Sequence, residues 1–76
     1  MKKTKKMRKL LKAAKLGKTY AMYQIGICYQ LGKDCEMDLY QASAWMRTAA
    51  ENGYQPAIEW LYDYMFDEDA YVQANI

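Results

Sequence analysis

Seventy-six residues, 53% hydrophobic and 26% charged, describe one small soluble domain with room for a single core. The chain has no His, one Ser (Ser43), two Cys and one Pro (Pro56), which removes most residue sets from which hydrolases, metalloenzymes and proton shuttles are built. Neither catalysis nor a bound cofactor or metal is expected. Residues 1–18 hold nine of the eleven cations and no acid, and residues 19–76 hold two cations and nine acids, so a +9 end adjoins a −7 remainder. Such asymmetry favours an anionic partner at one end, a cationic partner at the other, or pairing of the two ends.

In the first stretch, 2–16, Met7, Leu10, Leu11 and Ala14 recur at i, i+3, i+4 and i+7, the spacing of one helix face, with lysines filling the rest. Leu10 and Leu11 are followed at once by Lys12, so no export signal is expected, and no apolar run approaches the length of a membrane span. The expected location is the cytoplasm. Gly17 provides a C-terminal cap, and Thr19 is a candidate N-cap for a second helix over 19–31, where Ala21, Ile25, Cys28 and Tyr29 share a face. Gly32 ends it. The segment 32–37 lacks a helical period, and Asp38 is placed to cap a third helix over 39–52 with an apolar stripe of Ala42, Trp45, Met46, Ala49 and Ala50. After Gly53, Pro56 falls in the first turn of a fourth helix whose inner face is Ala57, Ile58, Leu61, Tyr64 and Met65. The acidic run Asp67-Glu68-Asp69 marks its end and a candidate short C-terminal helix.

An internal repeat orders these elements. Ala13-Ala14-x-x-Gly17-x-x-x-Ala21 recurs as Ala49-Ala50-x-x-Gly53-x-x-x-Ala57, an offset of 36 residues. A period that covers two helices and their turns is the arithmetic of an α-solenoid, in which hairpins stack through small residues at the crossings. Together, Ala21-x-x-x-Ile25-Gly26-x-x-Tyr29-x-x-Gly32 and Asp38-x-x-x-Ala42-x-x-Trp45-x-x-x-Ala49-Ala50-x-x-Gly53 resemble the Sel-one-like repeat, a tetratricopeptide-related α/α repeat, over roughly residues 13 to 65. The resemblance implies an all-α fold: a short right-handed α/α solenoid of four helices in hairpins. Within it, 1–18 is a basic capping helix, 19–53 a complete repeat, and 54–76 a terminal half repeat with an acidic tail.

Family members mostly act as adaptors that hold proteins together, so the resemblance implies binding without chemistry. It also implies that Gly26 lets a neighbouring helix approach closely. The chain departs from the pattern in three places. Asp34 stands where the loop usually has a second glycine and must take the left-handed turn, Tyr62 stands where Gly26 does in the earlier helix, and Lys6 and Lys9 replace Ala42 and Trp45, giving both ends a terminated look.

In a tetratricopeptide-like arrangement the concave helices are 19–31 and 55–66. They point Tyr20, Tyr23, Ile27 and Gln30, then Glu59, Asp63 and Phe66, into a groove suited to a Lys- or Arg-bearing peptide. The competing reading places several of these tyrosines in the core. Nucleic-acid binding through the Lys-rich first helix, with Lys5, Arg8, Lys9 and Lys12, is the alternative function. A weak homodimer joining the basic and acidic helices is a further expectation. Cys28 and Cys35, seven apart, match no zinc or redox spacing and read as small buried residues, with a disulfide between them the alternative. Asp63, Asp67, Glu68 and Asp69 lack the glycine and ligand spacing of a calcium loop.

Overall fold

The computed structural model describes residues 3–63, and within them every regular element is helical. Helix α1 spans Lys5–Lys15, α2 spans Thr19–Leu31 and α3 spans Leu39–Glu51. A fourth helix, α4, begins at Gln55 and is described as far as Asp63. The expected C-terminal helix, Tyr64, Met65, Phe66 and the acidic run lie outside the described residues. Helix α2 is the one against which both α1 and α3 pack.

The caps explain the boundaries. The Thr4 hydroxyl accepts a hydrogen bond from the Met7 amide at 3.2 Å, so α1 starts at Lys5, later than the lysine run alone indicates. Thr19 does not cap α2 but opens it. Lys18 holds the cap position with no side-chain bond, since its ammonium has no lone pair to accept an amide, while its carbonyl receives the Ala21 and Met22 amides. Gly32, at φ 68°, closes α2 in the left-handed conformation. Asp34 adopts φ 67°, the turn the sequence assigns to it. Asp38 caps α3 by accepting from the Gln41 amide at 3.1 Å.

The core is built from small and flexible side chains. Met7 of α1, Ile25 of α2 and Met46 of α3 are fully enclosed, and Ala14, Ala21, Ala42, Ala49 and Ala57 are buried around them. Enclosing one side chain the size of Met or Ile contributes about 1.5–3 kcal/mol, so α1, α2 and α3 are each held by one such residue, whereas α4 buries only Ala57 among its described residues. A Cβ built on Gly26 would lie 2.9 Å from Met46 Cε and 3.1 Å from its Cγ and Sδ. The absent side chain is therefore what lets α3 lay Met46 across α2. Trp45, Tyr29 and Leu61, expected in the core, pack against it half-buried.

Candidate functional site

Helix α4 and Tyr54, the residue just before it, are joined to α2 by one polar and one aromatic contact. Trp60 Nε1 donates to Gln30 Oε1 at 3.1 Å, and the rings of Tyr23 and Tyr54 meet at 5.5 Å with a 51° tilt. Both contacts lie along the side where the sequence places a groove, and they settle the local environment of its residues. Gln30 is occupied as an acceptor, and Tyr23 and Ile27 are half-buried against the core. Tyr20 is 51% exposed. Glu59 and Asp63 are exposed one turn apart on α4, and Glu59 Oε2 accepts from Gln55 Nε2 at 3.3 Å. Phe66 lies outside the described residues.

The structure thus brings Tyr23 and Gln30 to the α2–α4 seam and leaves Tyr20, Glu59 and Asp63 open. Trp60 and Tyr54 were not among the expected groove residues. Trp60 directly precedes Leu61 of the inner face, and an indole beside an apolar stripe is a recognisable signal for a seam residue needing a polar partner.

The basic residues occupy the far side of α1. Lys5, Arg8, Lys9 and Lys12 are all exposed, and Arg8 Nη1 donates to the Lys3 carbonyl at 3.3 Å. Arg8, Leu11, Lys12 and Lys15 line a shallow concavity of about 460 Å³. A further exposed apolar group gathers near the α2–α3 loop, where Leu31, Met37, Leu39 and Tyr40 are each more than half exposed.

Cys28 and Cys35 are buried free thiols. Burial pushes both above the ordinary cysteine range, with Asp34 adding at Cys28, and Cys28, Asp34 and Asp38 adding at Cys35. Such thiols are poor nucleophiles. Among the described residues no group of three or more His, Cys, Asp or Glu is placed to hold a metal ion, and no helix is long and apolar enough to cross a membrane. Comparisons with protein-family models, with curated proteins and with solved structures returned no match.

Proposed function

We propose that this chain is a non-enzymatic protein-interaction module, a short α/α solenoid of the Sel-one-like, tetratricopeptide-related kind, working as an adaptor. The observation that carries the reading is the seam between α2 and α4. The 36-residue offset makes these two helices equivalent in the repeat, and Trp60–Gln30 and Tyr23–Tyr54 hold them side by side. Gly26 supports the helical-hairpin reading at the α2–α3 crossing, since its missing side chain lets Met46 of α3 lie close across α2.

Tyr20 near the start of α2 and Glu59 and Asp63 on α4 stay exposed, so the two helices leave both aromatic surface and carboxylates open. That combination suits a partner carrying Lys or Arg, through cation–π and ion-pair contacts to a rigid helical surface. No bond-breaking role is assigned to any residue.

Affinity capture with the tagged full chain from nuclease-treated extract, read by mass spectrometry, tests this. The reading expects a protein retained by the wild type and lost with Glu59→Lys/Asp63→Lys. Retention of nothing, or of the same proteins by both forms, counts against it.

A further inference from the structure

Two faces of this molecule match each other in shape of charge. At 100° per residue, Lys5, Arg8, Lys9, Lys12 and Lys15 fall within a sector of roughly 120° on α1, opposite the buried Met7 and Ala14. All five are exposed, and the helix carries no acid. Two leucines give this sector apolar borders: Leu11 is half-buried beside Arg8, Lys12 and Lys15, and Leu16 just past the helix is 76% exposed. On α4, Glu59, Tyr62 and Asp63 share the face opposite the buried Ala57, and Tyr62 is 58% exposed.

We propose that the cationic partner of the acidic α4 face is α1 of a second copy of this chain. This deepens the reading of α2–α4 as a protein-binding surface and rests on it. Lys5 and Lys9 are spaced i, i+4, as are Glu59 and Asp63, so both pairs rise roughly 6 Å along their helices and align one to one. Leu16 and Tyr62 supply apolar area beside the charges, which must carry most of the affinity because exposed ion pairs contribute little.

The other described acids fit less well. Asp34 is engaged by Thr4, Asp38 caps α3, Glu36 lines a concavity of the α2–α3 loop together with Lys3, and Glu51 is a single acid at the end of α3. Phosphate backbone is a poorer occupant for the α1 sector, since nothing in a phosphate array covers Leu11 and Leu16. The sector also has one Arg and no aromatic to read or stack on bases.

Sedimentation of the full chain decides the matter through a charge swap. Wild type should gain mass with concentration at low salt and associate more weakly near about 0.5 M salt, where screening shortens to roughly 4 Å and only the apolar contribution is left. Lys5→Glu/Lys9→Glu alone and Glu59→Lys/Asp63→Lys alone should each associate more than roughly tenfold more weakly, and an equimolar mixture of the two should associate again. Circular dichroism checks that each variant keeps its helices, and Lys5→Gln/Lys9→Gln, which should weaken association without reversing charge, replaces any that does not. The proposal is overturned if wild type stays at one chain, if the variants associate as wild type does, or if the mixture fails to recover. Wild type that stays at one chain but binds duplex DNA at low salt also overturns it. If instead it stays at one chain yet captures a foreign protein through Glu59 and Asp63, only this occupant is wrong and the module reading stands.

Discussion

Thr4 and Asp34, thirty residues apart, are joined twice: the Thr4 amide donates to the Asp34 carbonyl and the Thr4 hydroxyl to Asp34 Oδ1, each at 3.1 Å. The same hydroxyl oxygen accepts from the Met7 amide, so one residue both starts α1 and ties it to the α2–α3 loop. Thr4→Val is expected to cost about 1–2 kcal/mol, the sum of a lost cap and a lost tertiary bond, and Thr4→Ser much less. Urea denaturation followed by circular dichroism measures both.

Asp34 adds a second contrast. Its backbone sits at φ 67°, and its Oδ2 is buried without a hydrogen-bond partner. Asp34→Ala and Asp34→Gly both remove the carboxylate that accepts from the Thr4 hydroxyl and leave the backbone carbonyl that accepts from the Thr4 amide, but only Ala keeps the left-handed penalty. Asp34→Ala should therefore be less stable than Asp34→Gly by about 1 kcal/mol, read from the same denaturation curves.

At the α2–α3 crossing, Gly26→Ala sets two effects of opposite sign against each other. Ala gains about 1 kcal/mol of helix propensity over Gly, while its Cβ displaces the enclosed Met46 side chain. The two nearly cancel in wild type. With Met46→Ala in place the steric term vanishes, so Gly26→Ala should then stabilise by about 1 kcal/mol, and a double-mutant cycle reports the difference as coupling. Gly26→Leu should cost about 1–3 kcal/mol or more.

Local chemistry was legible in the sequence. Gly17, Gly32 and Gly53 all take positive φ, Asp34 joins them, and Asp38 caps α3, because each outcome depends on a residue and its near neighbours. Thr19 failed as a cap through a one-residue shift that no local signal distinguishes. The Thr4–Asp34 and Trp60–Gln30 bonds were not legible: each joins residues thirty apart, and their pairing depends on how helices register in space. The same holds for the candidate surface. Its residue types were readable, but which of them the seam consumes was decided by Trp60 of α4 and by Tyr54 just before it.

Trp60→Phe keeps the ring packing and removes the donor to Gln30, for an expected loss of about 0.5–1.5 kcal/mol. Adding Gln30→Leu should restore much of it, since neither polar group is then left unpaired. Thermal unfolding of the two variants checks the pair.

Raised thiol pKa values at Cys28 and Cys35 make high pH unfavourable to the fold. Both thiols are neutral in folded and unfolded chains below about 8.5, so stability from this source is complete there. Above it the unfolded thiols lose protons first, and stability falls as pH rises through the folded values. Above about pH 8.5 the wild type should therefore lose stability relative to Cys28→Ala/Cys35→Ala. Iodoacetamide should label the native thiols far more slowly than the unfolded ones.

The central claim is that the aromatic and acidic face of α2 and α4 receives a cationic protein surface. Titrating the ¹⁵N-labelled full chain with a short polylysine peptide, followed by amide chemical shifts, tests it most directly. The account predicts saturable shifts concentrated at Tyr20, Tyr23, Gln30, Glu59 and Asp63. Shifts spread evenly over every acid, with Glu36, Asp38 and Glu51 responding as strongly as Glu59 and Asp63, or no saturable shift at all, would contradict it.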